Sequence, residues 1–175
     1  MPSKIAIDTT LQVHDACLCL HAQRAARALG RRFDEALRPF GLTNGQFSLL
    51  MALNRPAPAA LGAIARTLSM DRTTLTAALK PLVREGLAAA SVDTQDRRGR
   101  LLRLTDAGHE RLAAALPAWR ALHHAIEAEL QAAASDPDEA RAAMHLLAGA
   151  SPGPGDVAPE RRRAARRPPV SSSGG

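Results

Sequence analysis

Nowhere in the 175 residues is there an unbroken apolar run of the ~18 residues that a membrane span needs. Nor does a basic, apolar and small-residue leader open the chain. No membrane partner is therefore expected, and the cytoplasm is the expected compartment. Cysteine is scarce: Cys17 and Cys19 are the whole complement. They lie two positions apart, and on a helix residues i and i+2 point away from each other, which excludes a disulfide between them there. Free thiols suit a reducing compartment. The sequence also lacks a phosphate loop, a Gly-x-Ser-x-Gly elbow, a paired metal motif and a Ser/His/Asp set, so it offers no recognisable enzyme chemistry and no cofactor is expected.

What is present is a large apolar fraction, 46%, enough for a real core in a chain of this length. The formal charge is +6, and the isoelectric point near 10.8 suits an anionic partner such as nucleic acid. Half of that excess sits in one place. Residues 151–175 hold five arginines against Asp156 and Glu160, so the tail supplies +3 and the remaining body +3. Arginine-rich, alanine-rich composition also arises in GC-rich genomes without functional demand, so charge alone does not decide the partner.

Apolar periodicity organises the chain. Val13, Cys17, Leu18, Leu20, Leu29, Phe33 and Leu37 mark one side of a long helix over 10–38, with Arg24, Arg27, Arg31 and Arg32 on the wet side. Thr43 and Gln46 form a capping box, stapled by Leu42 and Phe47, that starts a second helix. Leu61, Ile64, Ala65 and Leu68 follow helical spacing. After a short turn, Asp71 caps a further helix carrying Leu75, Leu79 and Leu82 and closing at Gly86. A bend is expected at Pro81, which lacks the amide hydrogen that would bond to the Ala77 carbonyl. Residues 87–92 and 101–104 read as two strands around a polar loop, forming a hairpin. Thr105 caps a long helix with Leu112, Leu116, Trp119, Leu122, Ile126 and Leu130 on one side, and Asp136-Pro137 starts a last one. Beyond Ser151, Pro, Gly, Ser and Arg replace any periodicity, which predicts a disordered tail. The fold class is mainly α with a small β-hairpin wing.

This order places two DNA-reading devices in series. A helix fits the major groove, and Arg72, Thr73, Thr74, Thr76 and Lys80 can reach phosphates or base edges from it. A thin hairpin with Arg97, Arg98 and Arg100 at its tip can carry an arginine into the minor groove, where the negative potential is enhanced. The residues Asp96-Arg-Arg-Gly-Arg-Leu-Leu-Arg-Leu-Thr-Asp-Ala-Gly108 resemble the wing signature of the MarR family, and Met70 to Leu82 resemble its recognition helix. The resemblance spans about residues 10–148 in order. It implies a winged helix-turn-helix with N- and C-terminal dimerisation helices, working as a homodimer on pseudo-palindromic double-stranded DNA and usually as a repressor. In that frame residues 1–9 are a flexible N-terminus, 10–149 the winged-helix domain and 150–175 the tail. The DNA-binding lobe covers about 43–106, and the dimerisation helices about 10–38 and 106–149. The resemblance further implies that Arg98 enters the minor groove while Asp96 holds the wing arginines. Set against this is a winged helix that docks proteins rather than DNA.

The signal that such a regulator senses is left open between readings. The family resemblance implies a small-molecule effector, often an aromatic or phenolic acid, in a pocket to which Cys19, Gln23, Phe33 and Phe47 are assigned. Leu18-Cys19 also resembles the sensing cysteine of the organic-hydroperoxide repressor branch, which gives a thiol-based alternative centred on Cys19. That branch places tyrosines four and fourteen residues after the cysteine. Here those positions are Gln23 and Phe33, in a chain with no tyrosine. Cys17 and Cys19, with His14 and His21 close by, could also bind a soft metal, which leaves metal sensing as a lesser alternative; no complete zinc-ligand set at usual spacing is present, so no metal ligand is assigned.

Overall fold

The computed structural model describes residues 4–92 and 99–149. The chain divides into two compact units, Met1–Ala128 and Glu129–Gly175. Among the described residues no helix is long and apolar enough to cross a membrane. The predicted disordered tail and the wing residues Asp96, Arg97 and Arg98 lie outside the described residues.

The first helical stretch differs from the single helix expected over 10–38. It is two helices, α1 (Ile7–Ala16) and α2 (Leu18–Leu37), separated at Cys17, whose backbone is extended at φ −77°, ψ 99°. Side chains satisfy the groups that the interruption frees. The Leu20 amide donates to Cys17 Sγ at 3.4 Å, so the thiol caps α2, while the His21 ring bonds the Asp15 carbonyl at 3.1 Å. His14 is held by Arg24 at 3.2 Å and bonds the Asp15 carboxylate at 2.8 Å. The objection to pairing residues i and i+2 on one helix therefore does not apply to Cys17 and Cys19.

A short 3-10 turn, Arg38–Phe40, leads through Gly41, at φ +66°, into α3 (Asn44–Leu53). Both halves of the expected capping box form: the Gln46 amide reaches Thr43 Oγ1, and the Thr43 amide reaches Gln46 Oε1. Strand β1 (Ala59–Ala60) precedes α4 (Leu61–Thr67), and α5 (Arg72–Arg84) continues through Pro81. Gly86, at φ +73°, turns the chain, and the Leu87 amide bonds the Leu82 carbonyl at 2.8 Å. Strands β2 (Ala88–Val92) and β3 (Arg100–Leu104) pair antiparallel, Ala88 opposite Leu104, and β1 adds to the other edge of β3. That third strand is absent from the sequence-based expectation.

The base of the hairpin is closed by one residue. The Thr105 amide donates to the Leu87 carbonyl at 3.2 Å, and its hydroxyl donates to the Gly86 carbonyl at 2.6 Å while accepting from the Gly108 amide at 3.1 Å. A Cβ on Gly108 would collide with the Leu87 carbonyl oxygen, so only glycine allows α6 (Asp106–Ala132) to start this close to β2. Leu37, Leu49, Leu50, Ile64, Leu75, Leu82 and Leu87 are wholly buried and form one core with Phe47, Leu102, Leu104 and Leu112. Its position beneath α5 and the hairpin fixes both. In the second unit, Asp136 caps α7 (Pro137–Leu147), which leaves Met144, Leu146 and Leu147 exposed.

Candidate nucleic-acid interface

The start of α5 is set by Asp71. Its carboxylate accepts the Thr74 amide at 2.8 Å and the Thr74 hydroxyl at 2.5 Å. These two bonds, the hydroxyl first, hold the Asp71 carboxyl below its ordinary pKa. Thr74, expected to contact DNA, thus donates its hydroxyl proton to the cap. Thr76 donates its own to the Arg72 carbonyl at 2.7 Å. Arg72, Thr73 and Lys80 are exposed on the same helix.

One turn beyond Lys80 lies Arg84, which the sequence reading missed. Thr76, Lys80 and Arg84 recur every four residues, a stripe visible in the sequence once α5 is known to extend past Pro81. Arg100 opens β3 and is exposed. Lys80, Arg84 and Arg100 all line one cleft of about 420 Å³ between α5 and the hairpin, floored by Leu61, Leu79, Val83, Ala90 and Leu102. None of the three cations makes an ion pair among the described residues. Among the described residues this positive charge has no ion-pair partner, an arrangement suited to neutralising phosphates.

The four residues assigned to an effector site separate into two pairs. Gln23 donates to Cys19 Sγ at 3.3 Å, and Arg27 donates to Gln23 Oε1 at 3.5 Å, all on the exposed first half of α2. Phe33 lies fourteen residues further along α2, roughly 21 Å away at the α-helical rise. It is buried, as is Phe47. Both stack on Trp119, with ring centroids 6.3 and 6.0 Å away, and His123 stacks on the same indole at 4.7 Å. Phe47 and Trp119 face a second cleft, of about 570 Å³, with Met51, Arg55, Leu68 and Leu116. Arg55 is oriented there by bonds to the Ala52 carbonyl at 2.9 Å and Thr67 Oγ1 at 3.0 Å. Within one protomer Cys19 and Gln23 thus lie apart from Phe33 and Phe47. Trp119 and Arg55, which the sequence reading assigned to no site, line the second cleft; the meeting of Phe47 on α3 with Trp119 on α6 leaves no local mark in the sequence. No cluster of three or more metal-ligating side chains occurs among the described residues.

The MarR family profile matches residues 42–99, from the approach to α3 through the hairpin loop. The transcriptional regulator MosR of M. tuberculosis, solved in complex with DNA, superposes with a TM-score of 0.69 at 31% identity, over 86% of this chain and 99% of that one. The chain belongs to the MarR family. The repressor CouR, solved on a 23-mer DNA duplex, is similar to this MarR-family chain at 28% identity and a TM-score of 0.64, over 84% of it and 98% of CouR. The transcriptional activatory protein BadR of Rhodopseudomonas palustris is 35% identical over 88 residues, and the match spans about half the length of each protein. These relatives are transcriptional regulators, not enzymes.

Proposed function

We propose that this MarR-family chain binds duplex DNA as a homodimer on a pseudo-palindromic operator, and represses transcription until a small aromatic or phenolic acid releases it. The observation that carries the reading is the placement of Lys80 and Arg84 of α5 and Arg100 of the hairpin, none of them ion-paired among the described residues, around one cleft with an apolar floor. In this reading α5 enters the major groove and the hairpin reaches the flanking minor groove with Arg98, while Asp96 and Arg97 support it. A DNA partner puts the protein in the cytoplasm. The second copy is supported by apolar side chains that the protomer leaves uncovered, among them Leu11, Val13 and Leu18 on α1 and α2, exposed to 53%, 58% and 67%. The effector is assigned to the Phe47–Trp119 cleft, whose apolar walls accept a ring and whose Arg55 guanidinium accepts a carboxylate. A ligand there touches α3, α4 and α6 together, and so biases the spacing of the two recognition helices.

A thiol-based reading has its own observation: Cys19 is exposed and accepts a hydrogen bond from Gln23, and Cys17 stands outside the helix beside it. DNA retardation on the region upstream of the gene separates the readings, run with and without a panel of phenolic acids and an organic hydroperoxide, for wild type and Cys19→Ser. Release by an acid in both proteins supports the effector reading. Release by hydroperoxide in wild type alone replaces it with the thiol reading. Absence of binding to any duplex, or affinity that does not fall with salt, overturns DNA binding and favours a protein-docking winged helix.

A further inference from the structure

Gly62, the second residue of α4, is half-buried beneath two arginines from different elements. The position that a Cβ would occupy on Gly62 is 3.1 Å from one terminal nitrogen of Arg72, at the start of α5, and 3.8 Å from a terminal nitrogen of Arg66, in the last turn of α4. The Arg72 guanidinium carbon is also 3.8 Å from that point. Two cations thus converge on one patch of bare backbone. Two like charges brought together in this way repel, and an anion placed between them offsets that repulsion. Here neither arginine has an ion pair among the described residues. Asp71, adjacent in sequence, gives its oxygens to Thr74. Both guanidinium groups are thus exposed and open to an anion from outside the chain.

We propose that Arg66 and Arg72 clamp one phosphate of the DNA backbone between them, with the Arg72 guanidinium seated on Gly62. The proposal rests on the DNA-binding reading above and adds a residue from the first helix of the pair, which in helix-turn-helix complexes crosses the sugar-phosphate backbone. A phosphodiester fits because its two non-bridging oxygens offer acceptors to two guanidinium forks at once. Gly62 is part of the device, since a Cβ there lies 3.1 Å from an Arg72 terminal nitrogen and shifts that guanidinium by a few tenths of an ångström. The clamp fixes where α5 starts along the groove, so it sets register and not base preference.

The test is binding of the full chain to its upstream duplex across a salt series, for wild type, Arg66→Ala, Arg72→Ala, the double variant and Gly62→Ala, with thermal unfolding of each. Each neutralised phosphate contributes about 0.9 to the slope of log affinity against log salt. Both single variants are expected to weaken binding. The double variant is expected to lose about 0.9 in slope relative to wild type, the share of a single phosphate. A loss near twice that assigns the arginines to two separate phosphates and overturns the clamp. An unchanged slope removes both from the backbone and overturns it too. Neutral methylphosphonate placed at each backbone position in turn should find one site that cancels the effect of both single variants; two different sites overturn the proposal. Gly62→Ala should bind less tightly while unfolding no earlier than wild type, because alanine favours the helix. Unchanged affinity in that variant removes the seat. If wild type binds no duplex at all, the failure is that of the DNA-binding reading, which this series thereby tells apart from failure of the clamp.

Discussion

The residues between Leu42 and Ala115 and those between Lys4 and Leu20 are built from similar apolar side chains put to opposite use. In the first stretch Leu50, Ile64, Leu75 and Leu82 lose essentially all contact with water. In the second, α1 buries nothing, and Ile5, Ile7, Leu11, Val13 and Leu18 stay exposed. The winged-helix lobe is complete in one protomer, whereas the N-terminal segment holds its apolar surface for something outside it. Burial of such surface stabilises at about 25 cal/mol per Å², and the segment forgoes this in the isolated protomer. The lobe should therefore answer to substitution through stability, and the N-terminal helices through association.

The sharpest test of that contrast is a pair of alanines. Leu50→Ala is expected to cost about 2–5 kcal/mol in chemical unfolding, since it opens a cavity in a closed core. Leu11→Ala should change protomer stability by about 0.5 kcal/mol or less. Equal losses would erase the distinction. Next in size is Gly108→Ala, for which about 1–3 kcal/mol is expected because the new methyl meets the Leu87 carbonyl and the Leu104 side chain; thermal unfolding measures it. Leu11→Glu with Leu18→Glu is expected to leave the unfolding of the winged-helix lobe nearly unchanged but to shift sedimentation toward the monomer. A dimer that persists unchanged places the subunit interface elsewhere.

The smallest effect concerns Asp71→Asn at the start of α5. Hydrogen bonds from Thr74 lower the Asp71 carboxyl pKa in the folded state. Its ionised form therefore adds stability that is present above the unfolded-state value and lost as pH falls through the folded one. Wild type should exceed the asparagine variant at neutral pH, and the two unfolding curves should converge in acid. A difference that is constant across that range would show that the charge contributes nothing.

The features legible in the sequence were those whose cause lies within a few residues. The Thr43–Gln46 box and the Asp71 cap each follow from residues three positions apart, the Gly86 turn from glycine's freedom at positive φ, and each formed as expected. What escaped was set by partners distant in the chain. Ala59 and Ala60 have no strand preference of their own and become β1 only because β3 offers them a free edge. The interruption at Cys17 depends on His14, His21 and Arg24 together. The recognition helix was readable as an element, but the meeting of Arg66 with Arg72 was not, since it needs the angle between α4 and α5. The separation among the residues assigned to an effector has the same cause: Phe33 and Phe47 share Trp119, and nothing local joins them to Cys19.

Thr105 has a consequence for how this fold can vary. Because it ties Gly86 and Leu87 to the first turn of α6, the hairpin of β2 and β3 leaves and rejoins the helices at one fixed point. Length added there does not propagate into α5 or α6, and each doubling of such a loop costs only about 0.6 kcal/mol in closure entropy. The hairpin is thus an interchangeable tip on a rigid mount. Changes in its reach and sequence can accumulate, or be engineered, without refolding α5.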